Sequence, residues 1–228
     1  MQSPDNGVTM RVLRSLALAL IAVAAPITRA AAQTCQGTAA FQDGRAVARI
    51  DGKFNSIVND VGASLGYGVP RSFYGDISID RSQVAGSGLP TTGFGADLGY
   101  QIHLSDTPFQ LCPSVLWHYA AVDGLRSTTY GFGGSLGYRV GISDWFALVP
   151  AAGVNWMTAT TTGFVVGASS SSSGSSETQT GTNVFMTIGL VFNRTLTINP
   201  GVIVPSQSGA KSIYTVGISI NWANAVPR

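Results

Sequence analysis

The chain has 228 residues, of which 45% are hydrophobic, 28 are glycine and only 11% are charged. A soluble domain carries about 25% charged residues. A water-facing β-sandwich or barrel needs a charged exterior to stay dispersed, and one glutamate (Glu177) with two lysines (Lys53, Lys211) cannot supply it, so an ordinary soluble fold is excluded.

Arg11 and Arg14 precede the apolar run Leu16 to Ala25, then Pro26 and Ala30-Ala31-Ala32. That succession reads as a secretory signal peptide over residues 1–32, cleaved before Gln33, with Met10 as an alternative start. The run is too short for a spanning helix, which needs roughly 20 apolar residues. Gln33-Thr34 also lacks the small apolar residues of a lipoprotein signal before Cys35. Thirteen basic and eleven acidic residues become ten and ten once Arg11, Arg14, Arg29 and Asp5 depart, so the mature chain is formally neutral. It therefore has no overall basic character with which to bind nucleic acid. Residues 33–44 read as a periplasmic N-terminal segment. Cys35 and Cys112 are the only cysteines, and in an oxidising compartment they are expected to pair. No His or Cys spacing suggests a metal, and no cofactor is expected.

From residue 45 onward the dominant signal is strict alternation, with a period of two. Phe94, Ala96, Leu98, Tyr100 and Ile102 oppose Gly95, Asp97, Gly99, Gln101 and His103. Val184, Met186, Ile188, Leu190 and Phe192 oppose Asn183, Thr187, Gly189 and Asn193. The pattern predicts strands over 45–54, 58–69, 72–83, 92–104, 109–121, 127–141, 145–160, 181–193, 195–206 and 211–222. At about 10–13 residues each, they suit tilted strands crossing a bilayer. Short connections at Pro70-Arg71, Leu104 to Thr107, Gly141 to Asp144 and Asn193-Arg194 alternate with longer ones at 83–91, 122–127, 161–180 and 206–210. Short turns on the periplasmic side and long loops outside are the up-and-down barrel pattern. Loop parity then gives an all-β antiparallel transmembrane barrel of ten strands over 45–222, with eight as the alternative and 223–228 as a tail. Pro113, Pro150 and Pro200 recur just above short turns, where bulges are expected. The serine-rich stretch between Thr161 and Gly181 reads as a solvated extracellular loop.

Alternation alone leaves open which face looks outward. The face opposite the aliphatic one is mostly Gly and Ser, too poor in charge for a soluble exterior. Aromatics gather at strand ends: Tyr67, Phe73, Tyr100, Tyr138, Phe146, Phe192 and Trp222 near short turns, and Phe94, Trp117, Tyr119, Tyr130, Phe132 and Trp156 towards long loops. Two belts flanking an aliphatic band are the girdles of a membrane barrel. With that pattern the chain resembles the small outer-membrane β-barrel superfamily that includes the outer-membrane protein A transmembrane domain and its adhesin-like relatives. The resemblance implies residence in the bacterial outer membrane, with membrane lipid and the barrel-assembly machinery as partners. Such barrels commonly end on an aromatic residue, whereas Trp222 is followed by Ala223 to Arg228.

The inward parity holds Arg49, Asp51, Lys53, Asp60, Asp76, Asp80, Asp97, His103, His118 and Arg139. A barrel of this size is largely filled by its own side chains, and buried charges must pair. A lumen network is expected, with Arg49 and Arg139 pairing Asp97 and neighbouring carboxylates. Acyl transfer needs a nucleophile and base together at one rim. His118 lies about two-thirds of the way up its strand, His103 sits at the opposite end of its own, and no G-x-S-x-G is present, so no enzymatic activity is expected. The reading is a monomeric structural or surface-interaction barrel that presents its loops to an extracellular partner of unknown identity. A small passive pore is the alternative, and a lipid-modifying enzyme the more distant one.

Overall fold

A computed structural model of the chain describes Cys35 and residues 45–56, 58–69, 73–84, 90–104, 107–122, 125–163, 175–207 and 209–222. The proposed signal peptide, most of 33–44, the turn at Pro70-Arg71, the core of the serine-rich stretch and the tail at 223–228 lie outside these residues. Among the described residues no helix is long and apolar enough to cross a membrane.

Ten strands follow one another: β1 (Ala46–Phe54), β2 (Val58–Gly68), β3 (Phe73–Val84), β4 (Pro90–Tyr100, resumed at Ile102–His103), β5 (Phe109–Val122), β6 (Leu125–Tyr138, resumed at Val140–Gly141), β7 (Phe146–Gly163), β8 (Ser175–Phe192), β9 (Leu196–Pro205) and β10 (Ile213–Trp222). Each pairs antiparallel with its neighbours in sequence, and β1 pairs β10 from Ala46↔Trp222 to Phe54↔Tyr214. The sheet thereby closes into the ten-stranded barrel that loop parity predicts.

The register sets the barrel's girth. A level line from Ala46 runs through Tyr67, Gly75, Leu98, Val115, Phe132 and Trp156 to Thr182, one residue above the last pairing of β8 with β9. Continued through the remaining pairings it would return at position 58, twelve residues above its start. That stagger over ten strands tilts each by roughly 40° and gives a backbone radius of about 10 Å. Such a bore holds large side chains from both walls but is not filled by small ones.

The three prolines do not make bulges. Pro113 faces Tyr100, Pro150 faces Tyr138 and Pro200 faces Ile188, and in each case the register is the same on both sides of the gap. A bulge needs an inserted residue; here the only thing missing is the proline's donor. The ladder lapses for two positions and then resumes, which is why β4 and β6 are interrupted at Gln101 and Arg139. At Pro200 the carbonyl is still used, accepting from Thr187 Oγ1 at 3.1 Å.

The two ends of the stretch between Thr161 and Gly181 pair as strands, although their composition reads as loop. β7 runs on to Gly163 and β8 begins at Ser175, so each strand has 18 residues. Pairing needs backbone hydrogen bonds rather than apolar burial, and threonine suits the pleat. Thr158 and Thr160 oppose Thr180 and Thr178, with hydroxyl oxygens 3.2 Å apart in both pairs. At the other end Asn193 (φ 47°) and Arg194 (φ 58°) take the left-handed conformation of a tight hairpin turn. The Arg194 carbonyl accepts a 2.9 Å bond from Arg45 Nη1, tying that turn to the start of β1.

Cys35 and Cys112 form a disulfide, and both are fully buried. Cys112 points inward, between the exposed Leu111 and Pro113. Cys35 therefore lies inside the barrel wall, against Val47 and Tyr74, rather than at the rim. The bond closes a loop with a sequence separation of 77 residues, worth about 4 kcal/mol in the chain-entropy view. Cys35→Ser/Cys112→Ser is expected to lower unfolding stability by about that amount in urea titrations of the detergent-refolded barrel; an unchanged midpoint would show that the crosslink does not constrain the unfolded chain.

Candidate functional site

The inward parity forms a cavity of about 580 Å³ in the half of the lumen nearer the long loops. Its walls differ. Strands β1 to β4 contribute Arg49, Asp51, Lys53, Asp60, Asp76, Asp80 and Asp97, five carboxylates against two cations, and β5 adds His118. The facing strands contribute uncharged groups such as Asn155, Met157, Asn183, Phe185, Asn199 and Ile203. The neutral formal total of residues 33–228 thus conceals an acidic patch inside the barrel.

One ion pair and one histidine–carboxylate hydrogen bond lie within this wall. Lys53 Nζ stands 3.2 Å from Asp60 Oδ2, and His118 Nε2 donates to Asp80 Oδ1 at 2.7 Å. Pairing of this kind is what buried charge requires. Arg49 shares the wall with Asp76 and Asp97, whereas Arg139 stands at the interrupted stretch of β6 opposite Val149 and does not line the cavity. His103 is likewise apart from the cavity, where its Nε2 accepts from Gln110 Nε2 at 2.8 Å.

Asp80 lies on β3 and His118 on β5, so their bond must pass over β4. It does so above Gly93 and Gly95. A Cβ on Gly93 would fall 2.5 Å from His118 Nε2 and 2.7 Å from Asp80 Oδ2, closer than real contacts allow. The inward glycines are therefore seats for neighbouring side chains rather than free space. The Tyr74 ring occupies the place of a Cβ at Gly99, Phe185 that at Gly153 and Asn155 that at Gly133. Tyr74 and Phe185 are two inward aromatics that sequence reading missed. The signal was parity, since Tyr74 is in phase with Asp76 and Asp80, and Phe185 with Asn183 and Thr187.

Below the cavity the lumen is packed. Val47 and Tyr74 are buried against the disulfide, Val149 and Val191 form a second buried cluster with Ala147, and Gln101, Gln110 and Asn221 are buried at the same short-turn end. The outer surface is the reverse: Tyr67, Phe73, Phe94, Tyr100, Trp117, Tyr130, Trp156 and Trp222 are exposed outward, with Tyr119, Tyr138, Phe146 and Phe192 partly covered. Ring pairs link neighbours along this belt, Phe73 with Tyr100 at 4.9 Å, Phe109 with Tyr138 at 5.1 Å and Phe132 with Trp156 at 5.0 Å. Trp145, absent from the sequence-based belt, adds to it by packing on Phe146 and Phe192.

Above the membrane band the wall is uneven. β8 last pairs β9 at Asn183↔Pro205, so Ser175 to Thr182 rise past the end of β9. β5 to β7 rise with them, reaching Val122↔Leu125 and Leu125↔Gly163. The result is a four-stranded ribbon ending at β8. Part of its edge is capped: Ser206 N–H donates to the Thr182 carbonyl at 2.8 Å and Gln207 Nε2 to that of Thr180 at 3.3 Å. Beyond them Ser176 to Gln179 are exposed.

The crossing of the Asp80–His118 pair over glycine yields a test. Gly93→Val is expected to destabilise the barrel by about 1–3 kcal/mol through overpacking, and His118→Ala should relieve at least half of that penalty in a double-mutant cycle of denaturant midpoints. Additive effects would show that the glycine does not serve the pair.

Residues 121–210, from the end of β5 through β9, match the Autotransporter beta-domain family. No curated protein matches the chain in sequence. The β domain of the Bordetella autotransporter BrkA superposes with a TM-score of 0.51 at 11% identity, over 79% of this chain and all 100% of that one. The N-terminal β-barrel domain of Pseudomonas aeruginosa OprF aligns with a TM-score of 0.38 at 13% identity, over 79% and 98% of the two chains. Ail, the attachment invasion locus protein of Yersinia pestis, aligns at 0.37 and 9%, over 78% and 99%. With its closed antiparallel sheet and outward aromatic belt, the chain has the fold of an outer-membrane-type β-barrel.

Proposed function

We propose that this barrel is a non-enzymatic surface-interaction protein whose contact element is the ribbon of β5 to β8. The observation that carries this reading is the ribbon's rise past β9 with an exposed edge at Ser176 to Gln179. The backbone groups of Thr182 and Thr180 point towards β9, as their bonds to Ser206 and Gln207 show. By the alternation of a strand, those of Thr178 and Ser176 point the same way. Such an edge accepts an extended segment of another chain through main-chain hydrogen bonds. The packed layer around the disulfide supports an interaction role over a conduit. The pore reading draws on the acidic cavity alone, and predicts passage of small cations.

Two measurements separate the readings. In planar bilayers the barrel is expected to show no discrete openings, and regular unitary conductance would favour the pore. Cells displaying the full chain are expected to be retained on immobilised serum or matrix proteins. Thr178→Pro removes an edge donor and should lower retention about tenfold or more, while Thr178→Ser should not. Equal retention by both variants would refute the edge as the contact.

A further inference from the structure

The ribbon has a flat outward face as well as an edge, and that face continues the lipid-facing wall. Phe132 and Trp156 are paired, lie on the outward parity and are exposed to the membrane. One step above them on the same parity stand Tyr130, Thr158 and Thr180, then Thr128, Thr160 and Thr178. Arg126 lies higher still, opposite Thr162. At about 6.8 Å for every second residue, this face extends about 20 Å along the strands above the aromatic row.

We infer that the threonine face of β6 to β8 seats the phosphorylated sugar headgroups of outer-leaflet lipopolysaccharide. Position argues for it first. The face looks sideways rather than upward, so the molecule beside it is the headgroup of the lipid whose chains meet Phe132 and Trp156 below. Chemistry agrees. The hydroxyl pairs Thr158–Thr180 and Thr160–Thr178, at 3.2 Å each, use one donor per pair. Each pair thus leaves a second O–H and further lone pairs for another partner, a complement to saccharide hydroxyls. Arg126 supplies a cation of fork geometry suited to a phosphate. A second copy of the chain fits poorly, because stable homodimer faces are largely apolar and above the Phe132–Trp156 row this face carries Tyr130 among threonines, with no aliphatic side chain. The inference needs only the membrane orientation of the barrel, not the edge contact proposed above.

The test uses the barrel purified from outer membranes and reconstituted in vesicles of phosphatidylcholine alone, with phosphatidylglycerol, or with core-bearing lipopolysaccharide. The readout is the temperature at which unboiled samples lose the fast-migrating folded band. Lipopolysaccharide is expected to raise that temperature by at least 5 °C over phosphatidylglycerol. The Thr158→Val/Thr160→Val/Thr178→Val variant, which keeps β-branched strand formers, should lose at least half of the increment, while Thr160→Ser should keep it. Should the triple variant give no folded band, Thr160→Val alone is measured, and a smaller increment is again expected. An equal increment from phosphatidylglycerol would mean that bare negative charge suffices and would overturn the inference. So would a valine variant that retains the full increment.

Discussion

The ladder between β1 and β10 is the constraint on which the rest depends. In hydrocarbon an unpaired peptide group costs several kcal/mol, so a sheet can cross only if it has no edge. Pairing Ala46 to Phe54 with Trp222 to Tyr214 removes both edges at once. Closure then dictates the two faces: the outer one must be apolar along the membrane band, and the polar parity has nowhere to go but the lumen. The prolines fall where the constraint is weakest. Pro113, Pro150 and Pro200 interrupt single ladders near the short turns without moving the register, close to interfacial water.

The interior follows from the bore that the stagger sets. A radius of about 10 Å cannot be filled by one layer of small residues, and the chain fills it unevenly. At the short-turn end Tyr74, Gln110, Asn221 and the Cys35–Cys112 bridge pack into a buried layer. Higher up, paired charges line one wall of a cavity and neutral groups the other. Large inward side chains find room because the residue beside them on the next strand is glycine, as with Tyr74 over Gly99 and Phe185 over Gly153. Glycine abundance in this chain therefore measures side-chain packing across strands more than empty lumen.

Much of the architecture was legible because a strand's period of two is a local property. Strand positions, the count of ten and the outward belt all follow from alternation and turn spacing. Departures arose where a long-range partner decided the outcome. The serine- and threonine-rich stretch reads as loop by composition, but Thr158 and Thr160 meet Thr180 and Thr178 across a hairpin and extend the strands. The prolines suggest bulges in isolation, yet the strands on both sides hold the register. Inside the lumen, parity gave the inward set, but the Asp80–His118 pairing depends on two glycines of an intervening strand. No spacing within a single strand encodes that arrangement.

Closure at the seam is tested most directly by a crosslink between its two strands. Ala48 and Ile220 are register partners across β1 and β10. In a Cys35→Ser/Cys112→Ser background, Ala48→Cys and Ile220→Cys are expected to form an intrachain disulfide in isolated outer membranes. Reduction should then slow the migration of the heat-denatured band without producing a dimer. Two free thiols that both label from outside the protein, or a crosslink only between chains, would show that β1 and β10 do not meet and would contradict the closed ten-stranded barrel.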